Sequence, residues 1–325
     1  MLPTAQFLRV TDDRQKSFAW RTPPRRIVSL VPSDTYSLIR LGARERLIGR
    51  TRYCVAPEGE VEHAAIVGGT KDADVEAIIA LAPDLVIANQ EENSQKDIER
   101  LDAAGIKVLV SFPRTVAAGL GHLARLARAL GLDGGAEPSR SLVASAYHAQ
   151  RAAEAASAGL RPVRTFCPIW MDPLMTVHQD TFIADVLRLA GAENVFAGRE
   201  RRYPLAADLG FAPALGPDRV GQRDVRYPRV SLDELVAQRP ELILLPDEPH
   251  PFTEADAAIF RALPIPAAER GQVRFCDGKD LMWYGARSVE GLGRLAALVD
   301  EARKAFAGSQ ALPSARGLLT GRKIG

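Results

Sequence analysis

The sequence has few cysteines, and none of them are close together. Cys54, Cys167 and Cys276 are far apart and form no CxxC motif. This spacing argues against a disulfide framework and against a zinc site built on paired thiolates. Histidine is also scarce, because the 5 imidazoles form no HxH or HxxxH pair. We therefore expect the protein to hold no metal ion directly through its own side chains.

The chain also lacks long apolar runs and an excess of one charge. No apolar run approaches the roughly 20 residues that span a bilayer. Arg9, Asp12 and Arg14 lie where a signal peptide needs an apolar core, so no export signal is visible and a cytoplasmic location is expected. The net charge of +2, with scattered basic residues, predicts no nucleic-acid partner.

Sequence motifs of the common enzyme classes are absent as well. The chain contains no GxSxG, Walker A, HExxH or GxGxxG motif. It therefore has no signature of a hydrolase, an NTPase, a metalloprotease or a dinucleotide enzyme. The length of 325 residues, with 46% hydrophobic and 25% charged residues, is typical of a globular protein with two domains.

One stretch, residues 66–93, has a clear α/β pattern. Val75, Ile78 and Ile79 recur at helical spacing within residues 74–82, and a continuous apolar run at 85–88 lies within the predicted strand 84–88. The pattern predicts an amphipathic helix, a stop at a proline and a buried parallel strand. The polar cluster 89–93 then falls beyond the carboxyl end of the strand, where open α/β sheets bind ligands.

The same pattern occurs a second time. When Pro83 is aligned with Pro240, residues 74–91 fall on residues 231–248 without a gap. Residues 42–49 and 191–198 agree at a similar offset. The repeat predicts two lobes of like design, although proline after a helix is ordinary and chance matching is the alternative explanation.

The order of predicted elements divides the chain into five parts. We expect a leader or added edge segment (1–24), an N-terminal α/β lobe (25–135), a connecting helix (136–160), a C-terminal α/β lobe (161–308) and a tail (309–325). The alanine-rich run at 137–158 is too regular for a flexible linker and predicts a rigid rod. The second lobe is expected to open with a strand at 164–170. Its loop at 196–230, rich in Arg, Pro and Gly, is either functional or disordered.

Several short motifs together resemble a known family. The chain is similar to the helical-backbone substrate-binding proteins that serve ABC importers of cobalamin and iron chelates, over roughly residues 25–305. The motifs that carry this resemblance are a Pro32-Ser33 turn after the first strand, Tyr53-Cys54-x-x-Pro57, Val67-Gly68-Gly69-Thr70-Lys71, the helix and strand around Pro83, and Trp283-Tyr284-Gly285-Ala286-Arg287.

The resemblance implies a fold and a function. The fold would be two Rossmann-like α/β lobes joined by one long rigid helix, with a ligand cleft between them and little closure. The protein would be a non-catalytic monomer without a cofactor of its own, and its ligand would be a cobalt corrinoid or a ferric chelate. ABC permease subunits would be its partners if it is exported, in which case it would be periplasmic.

An alternative remains because no signal peptide or lipobox is visible. A cytoplasmic cofactor-handling protein or enzyme on the same scaffold would use Cys54, Glu91 and Arg287 in a small polar cleft. The sequence leaves the choice among corrinoid, haem and siderophore open.

The candidate ligand contacts are polar and aromatic side chains at predicted strand ends. Trp283, Tyr284 and Arg287 would suit a large, partly apolar ligand, with a core tryptophan and a surface charge as the alternative. Asn89 and Glu91 either bind ligand or solvate a loop, and Cys54 is either a ligand contact or a small buried hydrophobe. The full set of expected contacts is Ser33, Arg52, Tyr53, Cys54, Lys71, Asn89, Glu91, Trp170, Asp172, Trp283, Tyr284 and Arg287.

The internal repeat also suggests how the protein would meet a permease. Glu76 and Asp233 are equivalent positions in the first turn of the two repeated helices. The resemblance implies that glutamates at this place dock on permease arginines. The alternative is that acidic residues simply stabilise helix N-termini, and Ser231 with Glu234 is typical of a capping box.

Overall fold

Two α/β lobes, each built on a parallel sheet, make up the protein. The computed structural model describes residues 8–133 and 137–307. The predicted fold class is confirmed by these parallel sheets and by the long helix between them. The predicted tail, residues 309–325, lies outside the described residues.

The predicted leader contains a β-hairpin that belongs to the packed structure. Strands β1 (Leu8–Thr11) and β2 (Ser17–Trp20) pair antiparallel. Phe18 and Trp20 are buried in the main hydrophobic core and stack at 5.9 Å between ring centroids. The buried Asp12 carboxylate accepts a hydrogen bond of 3.2 Å from the backbone N–H of Val110. The described part of this segment is therefore folded against the first lobe.

The N-terminal lobe is organised around a five-stranded parallel sheet with the order β5-β4-β3-β6-β7. Helix α2 starts where Asp74 caps it, since the Asp74 carboxylate accepts a hydrogen bond of 3.0 Å from Ala77 N. The elements in chain order are β3 (Ile27–Ser29), α1 (Pro32–Arg40), β4 (Leu47–Arg50), β5 (Ala65–Ile66), α2 (Val75–Ala80), β6 (Leu85–Asn89), α3 (Gln95–Ala103), β7 (Val108–Ser111) and α4 (Val116–Ala129).

A long helix then leads into a second, four-stranded parallel sheet with the order β11-β8-β12-β13. The elements in chain order are α5 (Ser139–Ser157), β8 (Val163–Phe166), β9 (Trp170–Met171), β10 (Leu174–Met175), α6 (Phe182–Leu189), β11 (Ala192–Asn194), α7 (Leu205–Asp208), α8 (Pro217–Val220), α9 (Leu232–Gln238), β12 (Leu242–Pro246), α10 (Glu254–Arg261), α11 (Pro266–Glu269), β13 (Val273–Cys276), α12 (Gly278–Met282) and α13 (Ser288–Ala307).

The connecting helix α5 packs along its length on other helices. It contacts α4 of the first lobe and α6 and α13 of the second. Ala146 and Ala153 are its buried apolar residues, and their small side chains let the neighbouring backbones approach closely. A helix supported in this way resists bending, as expected of a rigid rod between lobes.

The first strand of the second lobe is shorter than predicted. A strand is expected at 164–170, but β8 ends at Phe166. Pro168 lacks the N–H that a central strand needs for its ladder, so the sheet cannot continue past it. The chain turns instead into the small β9–β10 hairpin. Trp170 therefore lies in this hairpin and not at the tip of a sheet strand.

The long loop between β11 and α9 is ordered around one buried carboxylate. We call residues 196–230 the strap. Asp208 is 1% exposed and accepts hydrogen bonds from Arg199 Nη1 at 3.0 Å, from Arg202 N at 2.9 Å and from Arg229 N at 2.8 Å. Because these donors come from both ends of the strap, their bonds to Asp208 hold the two ends of the strap together.

A single hydrophobic cluster runs through both lobes. It includes Phe18 of the hairpin, Leu120 of α4, Ala146 of α5, Leu187 of α6 and Val299 of α13. Each sheet also has its own smaller cluster on its other face. In the part of the chain that the structure describes, we found no helix whose length and apolar character would let it cross a membrane.

Candidate ligand-binding cleft

The two lobes meet at the carboxyl ends of their parallel strands. Strand β6 ends at Asn89 and is followed by the polar residues 90–93, and the segment 277–287 follows β13 of the second lobe. That segment packs on α1 and α4 of the first lobe, and Ala286 N donates a hydrogen bond of 3.2 Å to Ser37 Oγ. This is the position in which α/β proteins bind small molecules.

The hydroxyl of Tyr284 is the centre of the contact between the lobes. It donates to Asp34 Oδ2 at 3.0 Å, lies 2.9 Å from Ser111 Oγ and accepts from Asn89 Nδ2 at 3.2 Å. All three partners belong to the first lobe, whereas Tyr284 belongs to the second. Burial and the nearby Asp34 and Glu92 carboxyls raise the pKa of Tyr284 well above its ordinary value, so the hydroxyl keeps its proton.

Asp34 is held by a second partner behind the tyrosine. Its Oδ1 lies 2.9 Å from His122 Nε2, and both side chains are almost fully buried. The other ring nitrogen of His122, Nδ1, is buried without a hydrogen-bond partner among the described residues. The Asp34 carboxylate thus connects α1 to α4 through His122 and to the second lobe through Tyr284.

The amide of Asn89 shapes the loop that follows β6. Its Oδ1 accepts hydrogen bonds from Glu91 N at 2.7 Å and from Glu92 N at 3.2 Å, so the chain turns back sharply after the strand. Asn93 closes the turn, because its Oδ1 accepts from Asn89 N at 2.7 Å. Asn89 is 3% exposed, and its polar atoms are used within the protein. The geometry makes it a positioning residue for Glu91 and Glu92.

Glu91 reaches across the cleft to the strap. Its Oε1 accepts a hydrogen bond of 2.9 Å from Tyr227 and forms an ion pair of 2.7 Å with Arg226 Nη2. The Arg226 guanidinium also lies over the ring of Phe112, 5.2 Å from its centroid. Burial and the nearby Glu91 raise the pKa of Tyr227, which therefore stays a neutral donor.

A cavity of about 670 Å³ adjoins this bridge between the lobes. This volume falls in the range of small-molecule sites. Both lobes contribute to its walls. Its lining consists of Gln90, Glu91, Phe112 and Arg114 from the first lobe and of Asp180, Gln222, Arg223, Asp224, Val225, Arg226 and Tyr227 from the second.

Two further carboxyls lie between the lobes and are hard to ionise. Burial raises the pKa of Glu92 to about 8, and Asp34 and Glu248 add to the shift. Burial likewise raises the pKa of Glu248, while Lys279 and a hydrogen bond from Trp283 act against the shift. Glu92 is enclosed by protein although part of its surface still meets water. Near pH 7 the Glu92 side chain is therefore mostly a neutral hydrogen-bonding group.

Trp283 and Arg287 are more deeply engaged in the fold than the sequence suggests. Trp283 is 7% exposed and packs edge-on against Tyr36, with ring centroids 6.0 Å apart. Arg287 donates to Asp280 Oδ1 at 2.8 Å and to Asp277 Oδ2 at 2.5 Å. Their positions correspond to the core alternative for the tryptophan and to a structural ion pair for the arginine.

The residues after β4 have different environments. Tyr53 is 54% exposed, and Arg52 lies over its ring and pairs with Asp72 at 3.0 Å. Cys54 is fully buried, with its Sγ 3.1 Å from Thr51 Oγ. Burial raises the pKa of the Cys54 thiol, so the side chain is a small buried group that keeps its proton.

The remaining candidates include one exposed aromatic and several polar groups. Trp170 is 41% exposed, meets His250 edge-on and donates from Nε1 to the carbonyl of the exposed Asp172 at 3.0 Å. Lys71 donates to the carbonyl of Glu91 and so supports the same loop as Asn89. Ser33 is buried at the start of α1, close to Tyr284.

The two expected docking residues occupy equivalent positions. Glu76 and Asp233 are both exposed in the first turns of α2 and α9. Glu76 already pairs with Arg100 at 2.9 Å. The predicted capping box of α9 is present, because Ser231 Oγ accepts from Glu234 N at 3.0 Å and Ser231 N donates to Glu234 Oε2 at 2.9 Å.

No direct metal site is seen in the residues 8–133 and 137–307. Within these ranges no group of three or more His, Cys, Asp or Glu side chains is arranged to hold an ion. The buried Asp34 and His122 are used in the contact between the lobes.

The structure also brings in residues that the sequence did not single out. Arg226, Tyr227 and Phe112 complete the bridge around Glu91, and Asp34 with Ser111 completes the tyrosine site. The only signal for the first group was the length and arginine content of the strap. Nothing in the local pattern marked Asp34, which is an ordinary acidic residue in the first turn of a helix.

The fold and the cavity between the lobes are those of a two-lobed solute-binding protein. Comparison with known proteins identifies the family. The sequence profile of the family described as "Periplasmic binding protein" matches residues 27–279, which cover most of both lobes. The chain belongs to this family, whose members here are solute-binding proteins and not enzymes.

Individual relatives agree with this assignment. A "Vitamin B12-binding protein" from Yersinia pestis is 28% identical over 222 residues, which cover 68% of this chain and 69% of the relative. The solved periplasmic vitamin B12-binding protein BtuF of Vibrio cholerae has a TM-score of 0.68 at 19% identity, covering 87% of this chain and 99% of its own. A periplasmic haem-binding protein, BhuT, in complex with two haems has a TM-score of 0.67 at 22% identity, with coverages of 85% and 98%.

The tyrosine contact can be tested by removing one oxygen atom. We expect Tyr284→Phe to lower the free energy of unfolding by about 1–3 kcal/mol, because Asp34 is left buried without one of its donors. Denaturant unfolding measures this loss. Tyr53→Phe, at an exposed tyrosine, is the matched control and should change nothing. Equal stability of wild type and Tyr284→Phe would contradict the role given to the hydroxyl.

The raised pKa of Glu92 predicts a pH dependence of stability. From about pH 4.5 to the folded pKa of about 8, the folded state keeps a proton that the unfolded state loses, so stability falls as pH rises. Glu92→Gln mimics the protonated form and should remove this loss, which amounts to about 1.4 kcal/mol per pH unit at most.

Melting temperatures at pH 5 and pH 9 test this expectation. The difference between Glu92→Gln and wild type should be small at pH 5 and clearly in favour of the variant at pH 9. The same substitution at the exposed Glu58 is the control. A difference that is equal at both pH values would show that Glu92 is not protonated in the folded protein.

Proposed function

We propose that this protein is the substrate-binding protein of an ABC importer and that it takes a cobalt corrinoid or a ferric chelate between its lobes. The observation that carries the proposal is the family match across residues 27–279, which includes the strand ends that frame the cleft. The matched relatives are named for binding vitamin B12 and haem.

The contacts between the lobes favour a preformed site. Tyr284 links the lobes through three hydrogen bonds, and α5 supports their spacing from behind. A site that exists before the ligand arrives binds with little loss of conformational entropy. Capture is therefore expected without large closure of the lobes.

The exposed aromatic side chains are the best remaining candidates for contact with a planar ligand. Trp170 and Tyr53 each expose a large part of their rings, whereas Trp283 is buried. Aromatic faces bind large, partly apolar ligands well. We therefore place ligand contact at Trp170 and Tyr53, and we assign Trp283, Asn89 and Arg287 to the support of the site.

No specific observation favours the alternative of a cofactor-handling enzyme. It would need Cys54 and Arg287 as reactive or binding groups, but Cys54 is buried and Arg287 is paired with two aspartates. The expected cytoplasmic location is likewise not supported, since the matched family and structures are described as periplasmic. We propose delivery from the periplasmic side to a permease, with the ligand as cargo and no resident cofactor.

Titration with coloured ligands tests the function. We expect cyanocobalamin or hemin to bind to the purified protein, followed by absorbance and native mass spectrometry. Trp170→Ala should weaken binding roughly tenfold or more without lowering the melting temperature, as for an aromatic anchor at an interface. Trp283→Ala should mainly lower stability, by about 3–5 kcal/mol. Failure of these compounds and of ferric siderophores to bind would reject the proposal.

Permease docking is a separate part of the proposal. Glu76 and Asp233 stand at equivalent, exposed places on the two lobes and offer a pair of negative charges to a permease. Charges of this kind act mainly through encounter rate and orientation. The double variant Glu76→Lys with Asp233→Lys should abolish uptake in a strain that depends on this gene and leave ligand affinity intact. Normal uptake by that strain would rule out the docking role.

A further inference from the structure

The strap makes its charged contact with the first lobe through Glu91. Arg226 and Tyr227 both direct a donor at the same oxygen, Glu91 Oε1, at 2.7 and 2.9 Å. The backbone of Glu91 is held on both sides, because its N–H donates to Asn89 Oδ1 and its carbonyl accepts from Lys71 Nζ. A fixed acceptor therefore faces two neighbouring donors on a long loop.

Arg226 is organised on the strap independently of Glu91. Its Nε and Nη2 donate to Asp224 Oδ1 and Oδ2 at 2.9 and 2.7 Å. Its Nη1 is buried and has no hydrogen-bond partner among the described residues. The guanidinium thus keeps two contacts on the strap that do not involve Glu91.

The bridge lies in the wall of the cavity of about 670 Å³. The side chains of Arg226 and Glu91 remain 13% and 29% exposed, so a molecule in the cavity can reach their contact. Arg114 and Arg223 line the same cavity from opposite lobes. A negatively charged group that entered here would meet three guanidinium groups. The carboxylates of Asp180 and Asp224 also line the cavity, and Glu91 would be the direct competitor of the group at Arg226.

We propose that Glu91, Arg226 and Tyr227 form a latch that closes the strap over the cleft, and that an anionic group of the ligand opens it by replacing Glu91 at Arg226. This inference rests on the proposed function. The anionic group is a carboxylate or a phosphate, since both accept paired hydrogen bonds from a guanidinium. Cobalamin carries such a group as its nucleotide phosphate, and haem carries two propionates.

Hydrogen exchange on the protein without ligand tests the latch. Glu91→Gln keeps the size of the side chain and removes its charge, so we expect faster amide exchange in residues 222–229 than in wild type. Glu45→Gln is the matched control, because Glu45 also pairs with an arginine, at 2.5 Å, on the surface of the same lobe. Unchanged exchange in the Glu91 variant overturns the latch.

Ligand pairs that differ in an anionic group test the replacement. Hemin is compared with its dimethyl ester, which differs only at the two propionates. Cyanocobalamin is compared with dicyanocobinamide, which lacks the whole nucleotide with its phosphate and carries a second cyanide. Loss of the competing carboxylate in Glu91→Gln should tighten binding of the anionic member of the pair roughly tenfold, as for one hydrogen bond between charged groups. The affinity for the neutral member should increase by less than half of that factor.

The outcomes separate this inference from the proposed function. Equal gains for both members of a pair, or weaker binding of the anionic member, overturn the replacement although the proposed function stands. If neither pair binds, these compounds are not ligands, and the proposed replacement of Glu91 by their anionic groups is rejected with them. The hydrogen-exchange experiment still decides whether the latch exists.

Discussion

The contact on which the two-lobed arrangement most depends is the buried hydroxyl of Tyr284. A tyrosine oxygen in the protein interior is costly to bury unless it is hydrogen-bonded, and here its donor and its acceptor sites are used by Asp34, Ser111 and Asn89. These partners come from three separate elements of the opposite lobe. The lobes cannot shift past each other without leaving a buried carboxylate short of a donor, which makes the interlobe geometry discrete and not continuously variable.

The same network reaches the cleft surface through Asn89. Its amide nitrogen binds Tyr284, and its amide oxygen binds the backbone of the loop that carries Glu91 and Glu92. The side chains that line the cavity beside this loop are therefore positioned by buried groups behind them. Enclosure by the two lobes also explains why the Glu92 carboxyl resists ionisation, because few water molecules remain to solvate its charge.

Prediction from the sequence was most accurate for helices and strands whose start and end are determined by residues close by in the chain. The helix after Asp74 and strand β6 agree with their predicted places, because a capping aspartate, a proline stop and a continuous apolar run act within a few residues. The strand predicted at 164–170 ends at Phe166 in the structure. Pro168 cannot donate a hydrogen bond to the sheet, and this outweighs the apolar character of the run. The direction of side chains was the main limit on prediction. Residues 283–287 do lie at the contact between the lobes, but the side chain of Trp283 is buried in the core. The partner of Glu91 at Tyr227 is 136 residues away, and no local pattern encodes that distance.

The shared hydrophobic cluster has a consequence for how such a protein arises. The repeat of residues 74–91 at 231–248 is consistent with an ancestral half-length gene that was duplicated. Today, however, residues of the hairpin, of α5 and of α13 belong to one hydrophobic cluster. Either half alone would expose its part of this cluster to water, so an exchange of one lobe between paralogues must also preserve the surfaces that α5 covers.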